Sequence, residues 1–150
     1  MNTNKKTAGM TGFLNLSKLT IGGGVVFWIT TIAISLLPIA AEYRTAFSKA
    51  SIQTVWVASL PSGLVIGCCV SYSLLRFFDK IPTKNPIVKA VILSLVPYVI
   101  VLILLGVATS LLEGNGLYIF LIGVTLNVPR FLFVGIVIGY LYGRLYRERS

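Results

Sequence analysis

Four long apolar stretches, separated by short polar connections, dominate the hydrophobic pattern of this chain. They occupy residues 20–41, 52–76, 87–112 and 117–142, and none shows the alternation of apolar and polar positions that is typical of a strand. At about 1.5 Å per residue, a helix of roughly 20 residues crosses the hydrocarbon core of a bilayer. The pattern therefore predicts an all-α integral membrane protein with four transmembrane helices.

The polar segments around these stretches predict one transmembrane domain with a tail at each end. Residues 1–18 are expected to form a cytoplasmic tail that is flexible or lies on the membrane surface. Residues 19–143 hold the four helices, and residues 144–150 form a basic cytoplasmic tail. An alternative for the first stretch is a cleaved signal peptide, but the apolar part of a signal peptide is shorter, at roughly 7–15 residues.

Composition supports a membrane protein and changes how the charge is interpreted. Hydrophobic residues make up 56% of the 150 positions and charged residues 11%, whereas soluble domains carry about 25% charged residues. The net charge of +9 would suggest nucleic acid in a soluble protein. Here the basic residues flank apolar stretches, where they meet anionic lipid headgroups. We therefore expect the lipid bilayer as a partner, and no nucleic acid.

Lysine and arginine residues are distributed unevenly between the two ends of the predicted helices. The outer loops hold only Arg44 and Lys49. The other side holds Lys5, Lys6, Lys18, Arg76, Lys80, Lys84, Lys89, Arg144, Arg147 and Arg149. Because cytoplasmic loops carry the excess of positive charge, this distribution predicts a multi-pass protein of the plasma membrane with both termini cytoplasmic.

A short glycine-bounded segment occurs twice. The sequence GLVIG at residues 63–67 recurs as GIVIG at residues 135–139, and each copy is followed by arginine at the end of its stretch. Both stretches run in the same direction across the membrane in the predicted topology. We interpret the chain as two parallel helical-hairpin repeats, with chance similarity between apolar segments as the alternative.

The same segments place small residues four positions apart, on one face of each helix. Close approach of a second backbone at such a face holds membrane helices together. The predicted packing residues are Gly63, Gly67 and Ser71 in the second stretch and Gly135, Gly139 and Gly143 in the fourth. The simplest hypothesis packs these two stretches against each other, while the alternatives use one stripe for dimerisation or to line a pore.

Arg130 is the one charged residue predicted to lie in mid-membrane. It shares a helix face with Asn127, follows Pro129, and points roughly 140° away from Gly135. The four acidic residues lie outside the stretches, so its counter-charge must be backbone carbonyls, lipid phosphate, a partner or an anionic solute. Arg130 and Asn127 are the candidate functional residues, and stabilisation of a kinked helix is the structural alternative.

The residues needed for common site chemistry are scarce. Histidine is absent, which removes the commonest zinc ligand and proton shuttle. The adjacent Cys68 and Cys69 are expected to pack in the core, with palmitoylation as the alternative. We therefore predict no metal site, no cofactor and no catalytic residue.

Three functional hypotheses remain. The first is an accessory or interaction subunit of a membrane complex, paired with a second copy or with another membrane protein. The second is an oligomeric small transporter or channel for an anionic or apolar solute that uses Arg130. The third, an intramembrane enzyme acting on lipids, lacks a base or metal for the chemistry.

Overall fold

The computed structural model describes residues 3–47, 51–112 and 114–147, which form four long helices and one short one. The long helices are α1 (Thr3–Ser35), α3 (Ile52–Phe77), α4 (Pro86–Ser110) and α5 (Gly116–Arg147). The short helix α2 (Pro38–Phe47) follows α1, and a single 3-10 turn (Phe78–Lys80) follows α3. Each long helix contains a segment long and apolar enough to cross a membrane. The predicted all-α fold with four membrane-spanning helices is confirmed.

The first span differs from its predicted position. Helix α1 ends at Ser35, whereas the predicted first span continued to residue 41. The helix stops before Pro38, which becomes the first residue of α2. Proline lacks a backbone N–H and has a fixed φ angle, so it disfavours continuation of a helix and favours the start of a new one. The residues after Ser35 therefore belong to a separate short helix at the end of the bundle.

The N-terminal segment also departs from the prediction of a flexible or surface-lying tail. Helix α1 already begins at Thr3 and continues into the span without a break. Asn15 and Leu19, one helical turn apart on the same face, are both buried in the bundle. The polar residues at the start of the chain suggested a tail, but no proline separates them from the apolar stretch, and the helix continues through both.

The four long helices alternate in direction, with α1 packed on α3 and α5, and α4 packed on α5 and α3. Gly22, in the middle of α1, lies against Leu141 near the end of α5, and Gly23 lies against Ile138, so the two helices run in opposite directions. The start of α1 and the end of α5 therefore lie at one end of the bundle. This basic end carries the described cations Lys18, Arg76, Lys80, Lys84 and Arg144. Helix α2 lies at the opposite end, which we call the α2 end.

Most of the core lies in the half of the bundle toward the basic end. Phe131 is its central side chain and is almost fully buried. The Phe131 ring makes an edge contact with Phe27, at 5.9 Å between ring centroids, and a tilted contact with Tyr98 at 5.4 Å. The other core residues are Leu19, Val70, Leu74, Ala90, Val134, Ile138 and Tyr142. They come from all four long helices, so this layer holds the bundle together.

The glycine stripe of α3 lies against α1. A Cβ atom built on Gly67 would lie 2.7 Å from the Thr20 carbonyl oxygen, and one on Gly63 would lie 2.8 Å from the Gly24 carbonyl oxygen. These contacts are between backbones, so neither helix can give way by a rotamer change. Ser71, one turn further along the stripe, is fully buried, and its hydroxyl has no hydrogen-bond partner.

The glycine stripe of α5 lies against α4. A Cβ atom on Gly135 would lie 2.7 Å from the Cα of Val91, and one on Gly139 would lie 2.5 Å from the Cα of Ile87. Gly143 faces Pro86. The hypothesis that the second and fourth spans pack through their stripes is therefore wrong. Small residues identify a contact face, and the helix that covers it is here the first long helix of the same hairpin. The duplication itself remains a prediction.

Three consecutive glycines in α1, which sequence analysis did not single out, complete these contacts. A Cβ atom on Gly22 or Gly23 would meet Leu141 or Ile138 of α5, while one on Gly24 would meet Leu64 of α3. Successive residues turn by about 100° around a helix, so a glycine triplet opens two faces at once. The signal was visible as GGG within an apolar span, where each glycine costs about 1 kcal/mol of helix stability.

Lys89 is buried within the bundle, although the sequence analysis counted it among the basic residues of a cytoplasmic loop. Its side chain is 5% exposed, and its ammonium group donates to the Phe78 carbonyl and lies 3.6 Å from the centroid of the Phe78 ring. The Phe78 ring stacks on Tyr142, which stacks on Tyr146. A buried ammonium needs such partners. Lys89 therefore anchors the basic end of α4 and does not belong to a loop.

We predict that Gly67→Ala destabilises the protein and that Gly106→Ala does not. Overpacking against backbone costs about 1–3 kcal/mol, whereas a Cβ atom on Gly106 would lie 3.7 Å from Phe120, an ordinary contact. Both variants gain the same helix propensity. Thermal unfolding in detergent should show a lower Tm for Gly67→Ala alone. Equal effects of the two variants would show that the α1–α3 contact is not tight.

Candidate functional site

A cavity of about 410 Å³ lies at the α2 end, and its described walls come from α1, α2, α3 and α5. The volume is within the range of roughly 300–1,000 Å³ that is usual for small-molecule sites. The lining residues are Phe27, Thr31, Ser35, Ala40, Tyr43, Arg44, Phe47, Val55, Ala58, Ser59, Ser62, Leu126 and Arg130. We call this space the Arg130 cavity, because that residue decides its chemistry.

Arg130 and Asn127, the candidate residues from the sequence, are in contact. The Nη1 group of Arg130 donates to the Asn127 Oδ1 atom at 3.1 Å. The Nε group of Arg130 is buried and has no hydrogen-bond partner. A guanidinium has five N–H donors and carries a full positive charge. Within the described part of the chain, its hydrogen-bond partner is a neutral amide, so the charge itself is not compensated.

Asn127 is fixed in the orientation that serves Arg130. Its amide nitrogen donates to the Gly123 carbonyl at 2.8 Å, and the side chain is buried. Because the nitrogen is held by the backbone of its own helix, the amide oxygen is presented to the guanidinium. Gly123, Asn127 and Arg130 are four and three residues apart, on one face of α5. Asn127 therefore positions the cation.

Helix α2 covers this face of α5 with an aromatic ring. A Cβ atom on Gly123 would lie 2.7 Å from the Cε2 atom of Tyr43, so only glycine leaves room for the ring. Burial raises the pKa of the Tyr43 phenol, and the positive charge of Arg130 opposes that shift. The phenol is therefore neutral at physiological pH. A second contact between α2 and α5 at this end is a hydrogen bond, in which the Tyr118 hydroxyl donates to the Glu42 carboxylate at 3.3 Å.

The remaining polar groups of the cavity are hydroxyls that already donate to their own helices. Thr31 donates to the Phe27 carbonyl at 2.8 Å, and Ser59 donates to the Trp56 carbonyl at 2.8 Å. Such bonds satisfy a hydroxyl inside an apolar helix. The charged donors along the wall are then Arg44 and Arg130.

Two cations without a carboxylate make the Arg130 cavity electropositive. Among the described lining residues there is no aspartate or glutamate. Glu42 is exposed, and its carboxylate accepts from Tyr118. In a low-dielectric surrounding, such a site disfavours cations and stabilises an anion. The arrangement can therefore bind an anionic group.

A pair of tryptophans fixes the wall between α1 and α3. The Trp28 indole donates to the Trp56 carbonyl at 2.9 Å, and the Trp56 indole donates to the Ser35 hydroxyl at 2.7 Å. Both bonds cross between the helices beside the cavity. This pair was not predicted from the sequence, although an indole N–H within a membrane span must find an acceptor.

The cavity is closed toward the basic end. Phe27 lines it and packs against Phe131, and the buried residues Val134, Ile138 and Tyr142 continue the core below. The space is therefore a pocket with a packed floor.

The two adjacent cysteines lie on the outer surface of α3. Cys68 and Cys69 are exposed and do not pack in the core as predicted. The inner face of α3 is formed by Gly63, Gly67 and Val70, and the two cysteines lie on the other side of the helix. The described residues contain no group of three or more His, Cys, Asp or Glu side chains that could hold a metal ion.

Comparisons of the chain with protein-family models, with curated proteins and with solved structures find no match. The chemistry of the Arg130 cavity is therefore the basis on which a function can be inferred.

We predict that Asn127→Leu destabilises the protein by about 1–2 kcal/mol, because it removes the acceptor of a buried charged donor. The loss should be smaller when Arg130 is already replaced by methionine, since the partner is then absent. Thermal unfolding of both single variants and the double variant in detergent measures this coupling. Additive effects would mean that the bond between the two side chains contributes nothing to stability.

Proposed function

We propose that this chain is a multi-pass membrane protein that binds an anionic ligand in the Arg130 cavity, without catalysing a reaction on it. The observation that supports the proposal is the environment of Arg130, whose buried guanidinium lines the cavity and hydrogen-bonds a neutral amide. A charge within a bilayer costs about 2.5–3.5 kcal/mol, and such residues pair with a counter-charge or face a cavity. A bound anion supplies that counter-charge.

The geometry favours binding over conduction through a single chain. The core beneath Phe27 and Phe131 fills the space between the cavity and the basic end. An oligomeric transporter or channel for an anionic solute would use the same arginine, but its pathway would need a different arrangement of these side chains or further copies of the chain. A ligand-binding role requires neither.

The anion proposal predicts a charge-specific stabilisation. A ligand that binds the folded state raises its unfolding free energy, so inorganic phosphate or sulfate should raise the Tm of the full chain in an uncharged detergent. Arg130→Gln should abolish the shift, and Arg130→Lys should retain part of it. Arg76→Gln removes an equal charge from the exposed basic end and serves as the control. An unchanged shift in Arg130→Gln would refute the proposed site.

We further propose that the basic end faces the cytoplasm of a cell whose plasma membrane holds the protein. The support is the distribution of charge in the bundle, where Lys18, Arg76 and Lys84 share one end with Arg144. Positive charge retains loops on the cytoplasmic side. The Arg130 cavity then lies toward the outer leaflet.

This orientation predicts that reporter fusions at Ser150 and within the 81–85 loop both report the cytoplasm. A fusion within the segment that joins α4 to α5, around residue 114, should report the opposite side. Signals from Ser150 and from the 81–85 loop on different sides would exclude the arrangement.

A second candidate function is an accessory subunit of a membrane complex. The observation that favours it is the length of α1, which at 33 residues extends about 50 Å and exceeds the hydrocarbon core. Phe13 and Leu14, near its start, are 69% and 52% exposed. Mass spectrometry of the protein in mild detergent should show a second chain or a second copy, lost in the variant with Phe13→Ser and Leu14→Ser. A strictly monomeric wild-type preparation would exclude this role.

A further inference from the structure

A second, apolar cavity of about 290 Å³ adjoins the Arg130 cavity. It lies between α2 and α4, and its lining residues are Tyr43, Phe47, Val101, Leu104, Leu105 and Ala108. We call it the α4 cavity. Its walls carry no charged side chain among the described residues, in contrast to the two arginines of its neighbour.

The two cavities share one wall. Tyr43 and Phe47 of α2 line both, and their rings meet edge-on at 5.1 Å between centroids. On one side of this ring pair lie two cations and several hydroxyls, and on the other side the described residues of α4 that line the cavity are all aliphatic. A molecule that occupied both would need a negatively charged end joined to a hydrocarbon end.

The α4 cavity belongs to the lipid-facing surface of the bundle. Leu104, which lines it, is 64% exposed, and the neighbouring Ile103 is 62% exposed. Helix α4 has the highest mean hydropathy of the four candidate spans. A hydrocarbon chain in the bilayer can therefore reach this cavity without passing through water.

The electrostatics of the Arg130 cavity select among lipids. A phosphate accepts charge-assisted hydrogen bonds from guanidinium groups, which match its geometry. A headgroup that also carries an ammonium would bring that charge toward Arg44 and Arg130, where no described lining residue is acidic. Repulsion between this ammonium and the two arginines discriminates against zwitterionic phospholipids, whose headgroups carry both a phosphate and an ammonium.

We propose that the two cavities together bind one anionic phospholipid, with its phosphate in the Arg130 cavity and one acyl chain in the α4 cavity. Helix α2 lies across the junction, with Tyr43 and Phe47 between headgroup and chain. This inference rests on the proposed anion-binding function and names its ligand class.

The test examines recognition of the lipid headgroup and recognition of the acyl chain in two separate experiments. The full chain in uncharged detergent is mixed with equal amounts of phosphatidylglycerol and phosphatidylcholine, and native mass spectrometry measures the lipid retained. Wild-type protein should retain one phosphatidylglycerol with a preference of about tenfold or more, because the ammonium group of phosphatidylcholine would lie near Arg44 and Arg130. Arg130→Gln should lose this preference, while Arg76→Gln should keep it.

A substitution that fills the α4 cavity provides the second arm. Ala108→Phe places a ring in that cavity and should abolish lipid retention while leaving the Tm shift with inorganic phosphate intact. Val107→Phe adds the same ring to the neighbouring position, which is 60% exposed, and should retain the lipid. Equal lipid loss in these two variants, or equal retention of both lipids by wild-type protein, would overturn the inference.

The two proposals fail in different ways. If inorganic phosphate stabilises the protein through Arg130 but phosphatidylglycerol is not selected, the cavity binds a free anion and the lipid inference is wrong. If neither binds, the anion-binding function is wrong as well. Loss of the phosphate response in Ala108→Phe would show that the two cavities are not separate compartments and would also contradict the inference.

Discussion

The fold depends on the close backbone contact between α1 and α3. Gly63 and Gly67 bring α3 so near to α1 that a single added methyl group would meet the backbone carbonyls of Gly24 and Thr20. In a bilayer the surrounding lipid is as apolar as the side chains, so helices associate through packing and hydrogen bonds. A contact between two backbones gives the greatest packing over the shortest length. Gly23 extends it by also admitting Ile138 of α5, which joins the two hairpins at the same level.

The cavity lies where this contact ends. Ser62, next to Gly63, and Ser59, one turn further toward the α2 end, already line the Arg130 cavity. The tight half of the bundle supplies stability, so the other half can hold a charge and an open space. Proteins commonly carry such locally unfavourable features at functional positions, supported by the structure around them. The hydrogen bond from Arg130 to Asn127 and the ring of Tyr43 on Gly123 keep that charge in place.

Much of the architecture was predictable because membrane spans are governed by local composition. A run of about 20 apolar residues has few alternatives to a helix, since its backbone must satisfy its own hydrogen bonds in lipid. Helices α3 and α4 begin and end within two residues of the predicted spans, while α5 continues beyond its predicted span to Arg147. The first span was misplaced, because the apolar pattern continues past Ser35 while Pro38 ends the helix. The partners of the glycine stripes were also missed, because small residues mark a face equally for every neighbouring helix.

The order of residues along the chain is enough to predict four membrane-spanning helices, a difference in charge between their ends, and a shared face for Arg130 and Asn127 on the last helix. These properties follow from hydrophobicity and from the period of a single helix, which are local. Three features became apparent from the packing of the helices: Arg130 faces a cavity covered by α2, Arg44 lines the same cavity, and Lys89 is buried beside Phe78. Those contacts join residues far apart in the chain, and they depend on how helices rotate and pair in three dimensions, which no local pattern specifies.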